Sequence, residues 1–267
     1  MHIIHLHDKE TIEAFLRRDP ILHMFALGDL DDFYWPHTGW YALENDGEIR
    51  QLILTYKDAP QLVLMALTCE RVEEMRELLR SILHLLPQRM FVHLSEGLAQ
   101  VMADAYRLHS QGKFLRMALN NLERVSAVDT SAVVQLARAD LPGIEQLLQK
   151  SFPGSAFNSR MLQTGQYFGV ERNGILAGIA GVHVWSPTYR VAVLGNVATH
   201  PEYRRQGIAT AVTARLCQSL MRTVDHIGLM VHENNTNAIS TYSRLGFVQH
   251  SAAEVYELEM KSGGRVT

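Results

Sequence analysis

Hydrophobic positions recur along the chain with two different periods, and together they predict strands and helices in both halves. In the first half, the pattern predicts strands at 2–6, 61–67 and 90–94 and helices at 11–18, 71–85 and 97–106. In the second half, it predicts strands at 133–136, 175–185, 190–199, 227–231, 247–250 and 255–260 and helices at 141–152, 206–221 and 235–245. Strands that alternate with helices indicate an α/β fold, classed as α+β in some schemes, in which each half has a mixed central sheet flanked by helices.

The two halves resemble each other in the order of their predicted elements. Each contains a strand, a polar turn and a second strand, at residues 40–47 and again at 167–174, where Asn-Asp-Gly and Arg-Asn-Gly are hairpin signals. The alternative explanation is coincidence, because such hairpins are common. The repetition favours a duplication, with a connector near residues 122–130. We therefore predict an N-terminal domain over 1–125 and a C-terminal domain over 126–267.

Composition narrows the classes of partner and compartment. A chain of 267 residues suits about two domains. Lys plus Arg total 25 and Asp plus Glu total 28, so the net charge of −3 gives no broad field for nucleic acid or an anionic membrane. Cys69 and Cys217 lie far apart, and neither a secretory signal nor a membrane-length apolar run is evident. These features predict a cytoplasmic protein. We further expect a monomer or homodimer and no metal.

A short basic loop after the predicted strand 190–199 is the segment that indicates chemistry. Pro201 ends strand pairing because it has no backbone N–H, and Arg204 and Arg205 then precede Gly207 and a helix. The first N–H groups of a helix lack internal partners and carry the positive end of its dipole, so they bind anions well. The pattern favours phosphate binding, with an ordinary turn and solvated arginines as the alternative. It is neither a Walker loop nor GxGxxG.

Two segments together resemble the GNAT acyltransferase superfamily. The loop Arg204-Arg205-Gln206-Gly207-Ile208-Ala209 fits that family's (Arg/Gln)-x-x-Gly-x-(Gly/Ala) pattern, and residues 195–203 look like its lead-in strand. Its Asn-x-x-Ala…Tyr…Gly-Phe signature is matched by Asn235, Ala238, Tyr242, Gly246 and Phe247. The resemblance covers about residues 130–262. A degenerate first copy before an intact second copy is similar to the glycine N-acyltransferase-like branch.

The resemblance implies that acetyl-CoA, or another acyl-CoA, is the cosubstrate. Its pyrophosphate would be held by the loop residues Arg204, Arg205, Gln206, Gly207, Ile208, Ala209 and Thr210. Its pantetheine would lie along Val197, Ala198 and Thr199 like an added strand, in a slot opened where this strand splays from the strand at 227–231. Asn235 would help to hold the pantetheine arm; the alternative for Asn235 is a helix N-cap alone.

By the same resemblance, an amine would attack the thioester carbonyl directly. The backbone N–H of Val197 would stabilise the oxyanion, and Tyr242 would donate a proton to the leaving thiolate. A core tyrosine is the alternative for Tyr242. The general base is not assigned, because Asn196 occupies the strand where many relatives carry Glu. The candidates are a water relay, His183, Glu202, His232 and Glu233.

The first half lacks the basic glycine loop. Residues 68–74 follow the matching strand and include three acidic side chains at a helix start, which repel phosphate. This half is therefore expected to shape the acceptor site or an interface, without binding CoA. The sequence as a whole predicts an acyl-CoA-dependent N-acyltransferase that acetylates a primary amine of a small molecule or peptide. A non-catalytic CoA-binding sensor or interaction scaffold is the alternative, and the acceptor and acyl length stay open.

Overall fold

The computed structural model describes His2–Lys261 and divides this chain into two compact units. The first contains the chain up to Arg116 and again from Ser251, and the second is Met117–His250. These units differ from the predicted division at 125/126, because the last strand of the chain leaves the second unit and pairs with Arg89–Leu94 of the first. The functional assignment of the two predicted domains stays a prediction.

Strands and helices alternate along much of the chain. The strands are β1 (His2–Leu6), β2 (Thr38–Asn45), β3 (Glu48–Tyr56), β4 (Leu62–Ala66), β5 (Arg89–Leu94), β6 (Tyr106–Leu119), β7 (Val134–Gln135), β8 (Phe168–Arg172), β9 (Ile175–Ser186), β10 (Val191–Thr199), β11 (His226–His232) and β12 (Phe247–Met260). The α-helices are α1 (Lys9–Leu16), α2 (Met24–Gly28), α3 (Val72–Ile82), α4 (Ala99–Ala103), α5 (Leu122–Ser126), α6 (Leu141–Ser151), α7 (Ile208–Leu220) and α8 (Thr236–Arg244). Short 3-10 helices lie at Trp35–His37, Leu83–Leu85, Arg138–Asp140, Ser159–Thr164 and Pro201–Tyr203.

The first unit is built on a mixed sheet with the strand order β1-β2-β3-β4-β5-β12. Its neighbouring strands are antiparallel except for β4 and β5, which are parallel. Helix α3 covers this sheet because its apolar side chains recur at helical spacing. Its buried residues are Met75, Leu78, Leu79 and Ile82. They share one hydrophobic core with the inward-facing residues of β4 and β5.

The second unit has the strand order β11-β10-β9-β8-β7, with β10 and β11 parallel. Helix α7 meets this sheet at Gly178, whereas α6 shares a core with the next residue, Ile179. Because successive strand residues point to opposite faces, the two helices cover opposite faces of the sheet. Helix α7 turns one apolar stripe to the sheet, with members four positions apart that are all buried: Ile208, Val212, Leu216 and Leu220.

The predicted and observed elements differ at several places. The helix predicted from residue 206 begins at Ile208, because Gly207 has a φ of 79° that a helix interior does not adopt. The strands predicted at 247–250 and 255–260 are one continuous strand, β12. Strand β6 was not predicted, because a polar run at 109–113 breaks its apolar alternation. The predicted strands that become β9 and β10 are confirmed within a residue or two.

Candidate functional site

The basic loop joins β10 to α7 through two residues with positive φ. A 3-10 turn at Pro201–Tyr203 ends the strand, and Arg205 (φ 62°) and Gly207 (φ 79°) then reverse the chain into the helix. Glycine adopts this left-handed conformation without the steric cost that other residues incur. Gly207 occupies the N-cap position, and its Cβ direction faces open space. The loop therefore presents bare backbone at the start of α7.

The backbone amides of this loop are available to a ligand. Across the described residues, the N–H groups from Arg205 to Thr210 donate to no other group of the chain. Two side chains stabilise the loop instead of its amides. Arg204 Nε lies 3.5 Å from the Thr199 carbonyl oxygen, and Gln206 Nε2 lies 3.3 Å from the Glu202 carbonyl oxygen. Arg204, Arg205 and Gly207 are exposed. Free amides at a helix N-terminus beside two guanidinium groups fit a diphosphate.

Strands β10 and β11 separate beside this loop. Their parallel pairing runs from Val191 opposite His226 to Leu194 opposite Leu229 and stops there. Strand β10 continues to Thr199 without a β11 partner, so its last residues border a gap in the sheet. In the first unit the corresponding parallel pair, β4 and β5, stays paired over the whole length of β4. The opening is therefore a feature of the second unit.

A bulge interrupts β10 at the point where this opening begins. Gly195 pairs with Gly181 and Ala198 with Ile179, so Asn196 and Val197 together oppose a single residue of β9. Asn196 has a φ of 53°, which tilts the strand and redirects the peptide groups that follow it. Asn196 is buried and Val197 is half-buried. Three of the predicted cofactor residues lie at the end of the strand that has lost its β11 partner: Val197, Ala198 and Thr199.

Tyr242 lies on α8 and is 8% exposed. Its ring centroid is 5.8 Å from that of Phe247, the first residue of β12. Burial, together with the nearby Cys217 thiol, raises the pKa of Tyr242 above its ordinary value, so its phenol keeps its proton throughout the neutral range. Tyr242 is thus packed in the core and is protonated, so that it can donate a hydrogen bond or a proton. Cys217 is itself buried in α7, and burial raises the pKa of its thiol.

Asn235 is the N-cap of α8. Its side-chain oxygen accepts a hydrogen bond of 3.2 Å from the backbone N–H of Ala238. This contact confirms the capping role of Asn235 and leaves its exposed amide nitrogen directed at solvent or a ligand. The pantetheine contact stays a prediction.

The four side chains considered as general base differ in their surroundings. Glu202 and Glu233 are exposed. His232 Nδ1 accepts a hydrogen bond of 3.1 Å from the Asn234 backbone N–H, which places the proton of the neutral ring on Nε2. His183 is half-buried on β9, and burial lowers its pKa to about 4. A histidine of such low pKa is a weak base at neutral pH.

Tyr167, His183 and Asn196 form a cluster in which Tyr167 and Asn196 are buried and His183 is half-buried. The sequence patterns did not indicate that these three residues come together. The sequence feature that could have indicated the cluster is a pair of glycines, Gly181 and Gly195. The ring of Tyr167 occupies the space that a side chain at Gly181 would need, and the ring of His183 occupies that space at Gly195. A Cβ atom at Gly181 would lie 2.2 Å from Tyr167 Cε1, and one at Gly195 would lie 2.2 Å from His183 Cδ2. Any other residue at these positions would push the rings off the sheet.

Two further observations concern other classes of site. Within His2–Lys261, no group of three metal-ligating side chains comes together. Among the same residues, no helix has both the length and the apolar character that a membrane span requires.

Comparisons with known proteins match the part of the chain that contains this site. Residues 132–247 match the family model described as "Acetyltransferase (GNAT) family". The [ribosomal protein bS18]-alanine N-acetyltransferase of Escherichia coli (strain K12) is 32% identical over 122 residues, which are 44% of this chain and 80% of that protein. The same-named protein of Shigella flexneri is equally similar, at 32% identity over 122 residues, again 44% of this chain and 80% of that protein.

Solved structures extend the similarity of fold beyond the second unit. A GNAT acetyltransferase structure from Novosphingobium aromaticivorans DSM 12444 is similar with a TM-score of 0.60 at 22% identity, over 79% of this chain and 89% of that one. A tandem GNAT protein from the clavulanic acid biosynthesis pathway is similar with a TM-score of 0.60 at 16% identity, over 98% and 99% of the two chains. The fold of two GNAT-like domains is thereby confirmed. The chain belongs to the GNAT acetyltransferase family.

Proposed function

We propose that this protein is an acetyl-CoA-dependent N-acetyltransferase that acetylates a primary amine of a small molecule or peptide. One observation carries the proposal: the free amides from Arg205 to Thr210 lie beside the end of β10 where pairing with β11 has stopped. Such a pair of features suits an elongated anion with a flexible arm. The first unit has neither the loop nor the opening, and we assign acetyl-CoA binding to the second unit alone.

The proposed contacts follow the order of these elements. The amides of the loop and the guanidinium groups of Arg204 and Arg205 hold the pyrophosphate. The backbone of Val197–Thr199, which has no strand partner on its β11 side, hydrogen-bonds the pantetheine amides as an added strand would. Asn235 keeps α8 capped while its amide nitrogen donates to the same arm. When bound, acetyl-CoA supplies the activated thioester.

The reaction transfers one acetyl group and returns CoA as the thiol. The amine nitrogen forms a bond to the carbonyl carbon as the carbon–sulfur bond breaks. The Val197 N–H, in the bulge of β10, stabilises the negative charge that develops on the carbonyl oxygen. Tyr242 donates its proton to the leaving sulfur, and the proton lost by the amine passes to water. Water serves as the base here because Glu202 and Glu233 are exposed, His232 Nδ1 already accepts from the Asn234 N–H, and burial lowers the pKa of His183 to about 4.

A non-catalytic CoA-binding sensor is the second candidate function. It is favoured by Asn196, which supplies no basic group at a position where many family members carry Glu. A sensor would bind acetyl-CoA and release no thiol.

The two functions are separated by two measurements on the full chain. Calorimetry with acetyl-CoA reports binding, and thiol release in the presence of an amine panel reports turnover. We expect heat of binding and amine-dependent thiol release. Binding without release would favour the sensor, and the absence of any binding would overturn both functions. The cytoplasmic location and the monomeric or homodimeric state stay predictions.

A further inference from the structure

The orientation of the Asn196 side chain is determined by its neighbours. The Tyr167 hydroxyl faces two groups that can only accept, the Val182 carbonyl oxygen at 3.2 Å and Met161 Sδ at 3.4 Å, so the tyrosine donates its proton on that side. The same hydroxyl must then accept from Asn196 Nδ2, at 2.9 Å. Met161 Sδ lies 3.7 Å from this nitrogen, on the same side of the amide. The Asn196 Oδ1 atom therefore points away from both partners.

This oxygen is buried and lacks a hydrogen-bond donor. Asn196 is 2% exposed, and within the described part of the chain nothing donates to its Oδ1. A buried polar atom without a partner is costly and is uncommon in folded proteins. The atom sits in the β10 bulge, one residue before Val197, where the sheet opens. Its position and its missing donor point to a ligand N–H.

On the proposed function, this is the place from which an amine approaches the thioester. We propose that Asn196 Oδ1 accepts a hydrogen bond from the attacking amine, and that the acceptor is the α-amine of a peptide. The inference rests on the proposed function, because the thioester must lie along Val197–Thr199 for the amine to reach Asn196. Met161 is half-buried and unbranched, so its side chain can turn aside as the amine enters.

The choice of an α-amine follows from the neutral character of the cluster. Asn196 and Tyr167 carry no charge, and the His183 imidazole is neutral at pH 7.5 because burial lowers its pKa to about 4. An ammonium group entering this cluster would lose its hydration and gain no anion. At pH 7.5, roughly 0.3 of a peptide α-amine is neutral but only about 0.001 of a lysine side chain. A cluster that binds the neutral form therefore favours the α-amine.

Two peptide probes test the substrate class. One has a free N-terminal alanine and no lysine, and the other has the same sequence with a blocked N-terminus and one lysine. We expect a kcat/KM at least about tenfold higher for the free α-amine, measured by thiol release at pH 7.5 with acetyl-CoA saturating. Equal rates, or a preference for the lysine peptide, would overturn the proposal. Acetyl-CoA binding with neither peptide acetylated would also overturn it, whereas absent acetyl-CoA binding would overturn the proposed function instead.

Variants of Asn196 test the hydrogen bond. For Asn196→Ala we expect KM for the α-amine peptide to rise so that kcat/KM falls about tenfold, the loss typical of one hydrogen bond, while calorimetric affinity for acetyl-CoA stays within about twofold. The nearly isosteric Asn196→Asp should add an anion and shift the preference toward the lysine peptide. This second variant tests the hydrogen bond even if the alanine variant does not fold. Asn45→Ala, the same change in a hairpin of the first unit, is the matched control. Unchanged KM in Asn196→Ala and unchanged preference in Asn196→Asp would show a purely structural asparagine.

Discussion

A Cβ atom at Gly178 of β9 would lie 2.4 Å from Cγ2 of Ile208, the first residue of α7. The same atom would lie 3.2 Å from the Ala198 carbonyl oxygen on the neighbouring strand. Gly178 therefore gives Ile208 room to pack directly on the sheet, where its side chain is 6% exposed. Because the free amides begin immediately before this contact, the packing of Ile208 sets the height of the loop above β10.

Replacing Gly178 by alanine should move the start of α7 and weaken acetyl-CoA binding. The added methyl group overpacks the contact, for which we expect a loss of about 1–3 kcal/mol in the free energy of unfolding. We expect acetyl-CoA affinity in the folded variant to fall as well. Urea unfolding and calorimetry measure the two effects.

Gly143→Ala is the matched control for this change. Gly143 lies in α6, and its nearest neighbour, Leu176 Cβ, would be 3.9 Å from the new methyl group, an ordinary contact. An alanine in a helix interior should be neutral or stabilising by up to about 1 kcal/mol. Equal stability and affinity in Gly178→Ala and the wild type would contradict the packing argument.

The sequence predicts the fold well wherever one pattern dominates. Helix α7 is an example, because its apolar residues repeat every four positions and one face meets the sheet. Strand β6 is the opposite case, because the polar run at 109–113 carries no alternating pattern and the strand is held by its neighbours. Strand β12 joins the sheet of the first unit by pairing with β5, and local sequence propensity does not encode this long-range pairing.

The candidate site divides in the same way. The loop at Arg204–Thr210 was found because a glycine, two arginines and a helix start leave a local signal. The Tyr167–Asn196 contact was not found, because it joins residues 29 positions apart through a bulge. Bulges depend on the register of two strands, and a single sequence does not determine that register.

Gly207→Glu should abolish most acetyl-CoA binding. The new carboxylate would stand among the free amides, repel the pyrophosphate and occupy its space. We expect at least a tenfold weaker Kd, equal to about 1.4 kcal/mol, by calorimetry. Gly47→Glu is a close control, because Gly47 also has a positive φ (80°) and open space at its Cβ but lies in the β2–β3 hairpin of the first unit. If both variants bind acetyl-CoA as the wild type does, the phosphate assignment is wrong.

Tyr242→Phe should reduce turnover and leave acetyl-CoA affinity unchanged. Phenylalanine preserves the packing against Phe247 and removes the proton donor. We expect kcat to fall by about 10²–10⁴, the usual contribution of an acid–base group. Burial raises the pKa of Tyr242, so loss of the wild-type tyrosine proton should not limit activity between pH 7 and 9.

The control for the tyrosine change is Tyr41→Phe, which removes a hydroxyl from β2 of the first unit. It should leave kcat as in the wild type. A Tyr242→Phe enzyme with full kcat in thiol release would rule out the proposed donor and favour a core role for this side chain.

His23 should make the first unit sensitive to acid. Burial and, to a smaller extent, the nearby Arg116 lower its pKa from the ordinary value of 6.5 to about 4, and Asp19 only partly opposes this. The unfolded chain therefore binds more protons than the folded chain between these two pH values, and the free energy of unfolding falls as the pH drops through that window. At pH 4.5 the loss from this one group is about 2 kcal/mol relative to pH 7.

His23→Leu tests this link because leucine keeps an apolar side chain in the pocket lined by Leu16, Trp40 and Leu67 and cannot titrate. The variant should lose less stability than the wild type between pH 7 and pH 4.5 in urea unfolding. Part of the acid-induced loss of stability should persist in the variant. Burial also lowers the pKa of His183 in the second unit, so His183 reduces the free energy of unfolding over the same pH window. Parallel pH profiles for the two proteins would mean that His23 is protonated as readily in the folded chain as in the unfolded one, and that other titratable groups account for the acid sensitivity.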